Sequence, residues 1–77
     1  MNPDEVKRLI EAGLPGAEVE VTGDGSKFEA RVVSDAFEGL NTVKRHQKVF
    51  ATVNEHIASG AIHALTLKTL TPDEAGG

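Results

Sequence analysis

Cysteine, tryptophan and tyrosine are all absent from this 77-residue chain. Without cysteine the chain can form no disulfide, offers no thiol nucleophile and cannot build a cysteine metal site by itself. No apolar run approaches the ~20 residues of a membrane-spanning helix. The N-terminus lacks the basic start and apolar stretch of a signal or transit peptide. We therefore expect a soluble, cytoplasmic protein that does not contact membranes.

Basic residues are also scarce: the chain has eight lysine and arginine residues but twelve aspartate and glutamate residues, and its formal charge is −4. Proteins that bind nucleic acids in general present a net positive surface, because affinity comes largely from neutralising phosphates. The overall composition argues against that class. A chain of this length holds one domain, and its hydrophobic fraction of 39% suits a sheet packed against helices.

Apolar periodicity and turn residues divide the chain into six elements. Asn2 can cap a first helix and Gly13 offers a left-handed stop for it, while Gly23-Asp24-Gly25-Ser26 predicts a hairpin turn. Alternating apolar and polar residues are typical of half-buried strands. The predicted elements are a helix at 3–12, strands at 17–22 and 28–34, a single helical turn at 35–39, a long helix from 41 or 42 to 58, and a strand at 62–70.

The order is thus α-β-β-α-α-β, and the last two strands are joined through helices. A right-handed crossover between them would place all the helices on one face of the sheet. We predict an α+β fold, a single domain over 1–77 with a three-stranded sheet and all helices on one side. Order is expected over about 3–71, with a flexible tail at 72–77.

The long helix has two contrasting sides on a helical wheel. The apolar residues expected to face the core, with His46 among them, are Val43, Phe50, Val53 and Ile57. Lys44, Arg45 and Lys48 fall on the opposite side. They are either ordinary solvated charge or a contact patch for an acidic protein surface or a phosphate backbone.

Imidazole is the main candidate for site chemistry. His63 is in phase with Leu65 but stands at the start of the last strand, where a sheet rim meets solvent. It is either a structural group or a side chain with one nitrogen directed to a partner. The intervals between His46, His56 and His63 match no local metal motif. No serine is placed with a histidine and an acid, so no enzymatic activity is predicted.

Four segments, in their order and spacing, resemble the BolA family over roughly residues 3–72. They are Gly23-Asp24-Gly25-Ser26-Lys27-Phe28, Val33-Ser34-Asp35-Ala36-Phe37-Glu38-Gly39, Val43-Lys44-Arg45-His46-Gln47-Lys48-Val49-Phe50 and Ile62-His63-Ala64-Leu65, with Thr71-Pro72 following. The resemblance implies the BolA-like fold, whose element order is that of a type II KH-like domain.

The resemblance also implies a function. BolA proteins pair with monothiol glutaredoxins, and the heterodimer can hold a bridging [2Fe–2S] cluster. Glutaredoxin and glutathione supply thiolates to that cluster, and the BolA protein supplies imidazole. On this basis His63 is a shared cluster ligand, and the isolated chain holds no cofactor. The free chain is expected to be a monomer or a weak homodimer. The implied role is a non-enzymatic adaptor in iron–sulfur trafficking or in iron and stress regulation.

Lys27 departs from the family pattern. Many relatives carry histidine or cysteine immediately before the phenylalanine of the second strand, as a second candidate ligand, whereas this chain has Lys27. A protonated ammonium cannot ligate iron. Three consequences stay open: His63 is the sole ligand, His46 or a partner group substitutes, or the chain binds glutaredoxin without stabilising a cluster. Lys27 is also a candidate partner contact.

A second implied function is DNA-binding transcriptional regulation through the helix that carries Lys44-Arg45-His46. The turn that would correspond to the Gly-x-x-Gly loop of KH domains is Glu38-Gly39-Leu40-Asn41. It has one glycine and an acid, which argues against RNA binding. DNA contact by Lys44, Arg45 and Lys48 would be salt-sensitive. A third possibility is a stress-related interaction module with another partner.

Overall fold

The computed structural model describes residues 1–76 and confirms the α+β class and the α-β-β-α-α-β order. The last strand begins at residue 64, two residues later than predicted. The elements are α1 (Pro3–Gly13), β1 (Glu18–Asp24), β2 (Lys27–Val33), a 3₁₀ turn (Asp35–Phe37), α2 (Thr42–Ala58) and β3 (Ala64–Leu70).

The sheet has the order β1-β2-β3. β1 and β2 are antiparallel, and their hairpin loop is the pair Gly25-Ser26. Gly25 has φ 66 and Ser26 has no positive φ, which fits a two-residue turn of type II′. β2 and β3 are parallel, with a register that runs from Lys27 opposite Ala64 to Val33 opposite Leu70. The connection through α2 therefore supplies the predicted crossover.

The core lies between one face of the sheet and the two helices. Along β2, Phe28, Ala30 and Val32 are buried while Glu29 is exposed, as the predicted alternation requires. The buried core cluster consists of Val6, Ile10, Leu14, Val19, Phe28, Ala30, Val32, Phe37, Val49, Val53 and Ile62. Between residues 1 and 76, no helix combines the length and the apolar character needed to cross a bilayer.

The first helix is capped by Asn2, whose Oδ1 accepts from the backbone N–H of Glu5 at 2.9 Å. The prediction that Gly13 is a left-handed stop is wrong, because Gly13 is the last residue of α1 and the positive φ of 85° belongs to Gly16. Gly13 serves another purpose. A Cβ on it would lie 2.9 Å from the Cβ of Thr52 and closer still to its Cγ2, so glycine lets α1 and α2 approach.

The rotation of α2 differs from the predicted one. Val49 and Val53 are fully buried, whereas Val43 is 64% exposed and Ile57 is 36% exposed. The apolar residues of α2 cover a wider arc than the sheet can bury. The contact of Thr52 with α1 determines which part of that arc points inward. The buried Val49 was missing from the residues predicted to face the core.

The C-terminal segment was predicted to be flexible over 72–77. In the structure residues 72–76 continue β3 as a hydrogen-bonded turn, in which the N–H of Ala75 donates to the carbonyl of Thr71 at 3.0 Å. Thr71 and Glu74 also bond reciprocally: the N–H of Thr71 donates to Oε1 of Glu74, and the N–H of Glu74 donates to Oγ1 of Thr71. Gly77, which the same prediction included, lies outside the described residues.

We predict that Gly13→Ala destabilises the protein by about 1–3 kcal/mol, the usual cost of overpacking, although alanine is the better helix former. The added methyl would meet the Thr52 side chain. Urea denaturation of Gly13→Ala, Thr52→Ala and the double variant forms a double-mutant cycle. The double variant should regain most of the loss. Additive effects would contradict the proposed contact.

Candidate functional site

The β1–β2 hairpin and the start of β3 meet at one rim of the sheet. The carbonyl of Ser26 accepts from the backbone N–H of His63 at 2.7 Å and from that of Ala64 at 3.2 Å. One residue earlier, the N–H of Ile62 donates to the carbonyl of His56 at 3.0 Å, and the Ile62 side chain is buried in the core. The main chain at His63 is therefore held from both sides.

The His63 side chain, in contrast, is exposed. Within residues 1–76 its ring makes no hydrogen bond, and the residue is held through its main-chain N–H. Of the two alternatives for His63, the structure therefore favours a ring that is available to another molecule over a ring tied to a carbonyl, while its role as a ligand stays a prediction. A fixed backbone with a free ring is what a ligand donated to another molecule requires.

Lys27 stands beside this histidine. It is the first residue of β2, it is exposed, and its Cα partner in the parallel register is Ala64, the neighbour of His63. In the hairpin it lies opposite Asp24. The rim therefore presents an imidazole, an ammonium and a carboxylate close together in the register.

The other two histidines lie elsewhere. His46 is half-buried on α2, with its ring edge-on to Phe50 at a centroid distance of 6.4 Å. The neighbouring Arg45 reaches the carbonyl of Thr69 near the far end of β3, about 20 Å from His63 at ~3.3 Å per residue. His46 and His63 are therefore not brought into one site. His56 is half-buried and lines a shallow groove against α1.

A complete metal site is not assembled by the part of the chain that the structure describes, where no three histidine, aspartate or glutamate side chains come together. A shared iron–sulfur cluster fits the rim only in a limited sense. His63 offers one open nitrogen donor, while Lys27 in its protonated form offers none. Any cluster held here would need its remaining ligands from another molecule.

The three cations of α2 do not form one exposed stripe, and that prediction is wrong for Arg45. Its side chain is only 14% exposed. Its Nε donates to the carbonyl of Leu40 at 2.8 Å, and its Nη1 donates to the carbonyl of Thr69 at 3.4 Å and to Oε1 of Glu74 at 2.6 Å. Lys44 and Lys48 are exposed as predicted. Arg45 was misassigned because the predicted buried face omitted Val49. Arg45 precedes the buried Val49 by four residues and therefore lies on the same side of the helix.

Glu74 is the acidic partner in this arrangement, and it was not among the predicted residues. Hydrogen bonding from Arg45, followed by that from the backbone N–H of Thr71, holds the pKa of Glu74 below its ordinary value. A signal for it was present in the sequence. Thr71-Pro72-Asp73-Glu74 is the Thr-x-x-Glu pattern of a capping box, which predicts the reciprocal bonds but not the contact with Arg45.

Comparison with known proteins gives consistent matches. Residues 10–74 match the family described as BolA-like protein. The acid stress protein IbaG of Escherichia coli K12 is 38% identical over 74 residues, covering 96% of this chain and 88% of that protein. A bolA protein homologue from Coxiella burnetii has a TM-score of 0.90 at 41% identity, covering 100% of this chain and 99% of that one. The solution structure of yeast Fra2 has a TM-score of 0.79 at 30% identity, with 97% and 84% coverage.

We predict that Glu74→Gln lowers the urea midpoint at pH 7. The folded pKa of Glu74 is depressed, so its carboxylate contributes stability above the unfolded pKa, and that stability is lost as the pH falls through the folded pKa. The midpoints of wild type and Glu74→Gln should therefore converge in acid. Asp73→Asn removes an adjacent exposed carboxylate and is the control. An offset that does not change with pH would contradict this account.

Proposed function

Because the chain belongs to the BolA family, we propose that it is a non-enzymatic adaptor whose partner is a monothiol glutaredoxin, and that His63 is the residue it offers to a shared [2Fe–2S] cluster. The observation that carries the proposal is the exposed His63 ring on a main chain fixed by Ser26. Members of this family act in general as adaptors or regulators, and the relative IbaG is named as an acid stress protein.

The chemistry of the rim suits a shared ligand set. When bound, the cluster would supply one-electron redox chemistry, and an imidazole in place of a thiolate raises its potential. His63 would bind iron through the free ring nitrogen. Its neighbour Lys27 would place a positive charge beside ligands that include thiolates, which is favourable electrostatically. Ser26 keeps the orientation of the rim constant while the partner docks.

The docking surface proposed for glutaredoxin centres on this rim. Lys44 and Lys48 lie in the N-terminal half of α2, which runs antiparallel to β3 and therefore starts at the end of the sheet far from His63. These two lysines can contribute long-range attraction to an acidic partner. Arg45 is not proposed as a contact, because its guanidinium already bonds to Leu40, Thr69 and Glu74.

Regulation of transcription through DNA binding stays a prediction. It depended on three exposed cations on α2, and the guanidinium of Arg45 is occupied within the fold. The remaining pair, Lys44 and Lys48, would neutralise at most about two phosphates, which gives weak and strongly salt-dependent binding.

We predict that adding the protein to cluster-loaded monothiol glutaredoxin with glutathione changes the visible circular dichroism spectrum. His63→Ala should shorten the lifetime of the shared cluster by at least about tenfold, since loss of groups that merely orient a ligand already costs 10- to 100-fold. His56→Ala removes a histidine away from the rim and is the matched control. An unchanged spectrum, with His63→Ala behaving like wild type, would rule the proposal out.

The departure at Lys27 gives a gain-of-function prediction. Lys27→His places a second neutral nitrogen donor in the register position beside Ala64, next to His63, so the cluster lifetime should increase. Lys48→His makes the same change on α2 and should have no effect. If Lys27→His and Lys48→His behave alike, the hairpin position does not face the cluster.

A further inference from the structure

Two surfaces of the molecule have no partner within residues 1–76, and they lie side by side. One is the outer edge of β3, which forms one side of the three-stranded sheet. The other is the outer flank of α2, defined here as Val43, His46, Phe50 and Ile57. None of these four belongs to the core cluster or to the partly buried residues packed against it.

The backbone N–H and C=O groups of successive β3 residues point alternately toward β2 and toward the open edge of the sheet. The N–H of Ala64 donates to Ser26, and the carbonyl of Leu70 accepts from Ser34, so the even-numbered residues bond toward β2. The N–H and C=O groups of Leu65 and Leu67 therefore point away from the sheet. Near the C-terminal end of β3, the carbonyl of Thr69 accepts a hydrogen bond from the guanidinium of Arg45.

Edge strands are usually protected by charge, and the two edges of this sheet differ in that respect. β1 carries the carboxylates of Glu18, Glu20 and Asp24, which discourage pairing with another strand. β3, with the sequence Ala-Leu-Thr-Leu-Lys-Thr-Leu, carries only Lys68. The acidic tail does not cover it, because Pro72 and Ala75 turn toward Gly16 and Glu18 on the β1 side.

The outer flank of α2 overhangs this edge. Thr52 contacts α1 at Gly13, and His56 lines a groove with residues of α1, so that side of α2 faces α1. At ~100° per residue, Phe50 and Ile57 lie on the other side of the buried Val49 and Val53. They therefore face away from α1, which packs on β1, and toward β3.

Both surfaces are symmetric about their midpoints. Phe50 is the central residue of α2, with Val43 and Ile57 seven residues to either side, and Leu67 is the central residue of β3. Measured along the strand direction, Phe50 and Leu67 lie at about the same position. Arg45, about 7.5 Å before Phe50 along the helix, reaches Thr69, about 6.6 Å beyond Leu67 along the antiparallel strand.

We propose that the free chain forms a two-fold dimer, in which β3 pairs antiparallel with β3 of a second copy around Leu67 and the outer flanks of the two α2 helices pack together. A two-fold interface must be complementary to itself. A two-fold axis that passes near Phe50 and Leu67 places Phe50 against Phe50 of the second copy. The same axis places Val43 against Ile57 of the second copy. The open N–H and C=O groups of Leu67 then bond to those of Leu67 in the second copy.

Charge and size indicate a second copy and set the strength of the dimer. The outer flank carries no acid and no lysine or arginine, so two chains of charge −4 meet without like charges in close contact. A helix of 17 residues is about 25 Å long, and the molecule is 18–19 Å across. That footprint is small beside the ~800 Å² per partner of a standard stable interface. We therefore expect a weak dimer that dissociates on dilution.

Sedimentation between about 10 μM and 1 mM tests the proposal directly. The wild-type mass should rise with concentration from 8.1 kDa toward twice that value. Val43→Glu with Ile57→Glu sets like charges opposite each other across the axis and should weaken association at least about tenfold. Val43→Glu with Ile57→Lys occupies the same positions with opposite charges and should restore it. Ala51→Glu with Ala58→Glu adds the same charge on the exposed face of α2 and should have a much smaller effect.

Amide hydrogen exchange gives an independent readout of strand pairing. Protection at Leu67 should increase with concentration, while the amides of Ala64 and Thr66, already bonded toward β2, should not change. A monomer at 1 mM overturns the proposal. So does a dimer that tolerates Val43→Glu with Ile57→Glu, because such a dimer must use a different surface.

Discussion

The parallel pairing of β2 with β3 is the constraint on which the rest of this structure depends. Lys27 opposite Ala64 at one end and Val33 opposite Leu70 at the other bring a hairpin tip and a distant strand start to the same rim. The crossover between them runs through α2, whose buried valines close the core over the sheet. A one-residue slip of this register would reverse the faces of Leu65 and Leu67, so the core also fixes where His63 emerges. The position of the open imidazole is thus a consequence of packing the 30 residues from 34 to 63 between two neighbouring strands.

The lysine and arginine residues of α2 fall into two groups. Arg45 is tied into the fold by Glu74, whereas the lysines are exposed to solvent. The guanidinium of Arg45 joins three parts of the chain, the turn before α2, the end of β3 and the C-terminal turn, through Leu40, Thr69 and Glu74. Only the lysines of the basic trio remain at the surface. This separation favours a protein partner over a phosphate backbone, because a small domain with a charge of −4 has little positive surface to neutralise phosphates.

The element order and the hairpin follow from sequence, because each depends on local rules, whereas the sequence left the exposure of His63 open. Alternation places Phe28 and Val32 inside, Gly25 supplies a positive φ, and Asn2 supplies a helix cap. What could not be predicted depends on contacts between elements. The rotation of α2 is set by Thr52 against Gly13, and the burial of Arg45 is set by Glu74, 29 residues further along the chain. Helical periodicity gave one wide apolar arc on α2, and the packing of α1 decides which part of that arc faces inward. The arc left outside, at Val43 and Ile57, is the surface proposed to join two copies.

The central claim is that the rim formed by the hairpin and the start of β3 is where this BolA-family protein meets its glutaredoxin partner. Backbone NMR titration with monothiol glutaredoxin, first without and then with its cluster, tests it most directly. The account predicts that resonance changes concentrate at residues 24–28 and 62–65, and that the His63 ring signals shift or broaden only when the cluster is present. Changes confined to α1 or to the outer face of the sheet, with His63 unaffected by the loaded partner, would contradict it.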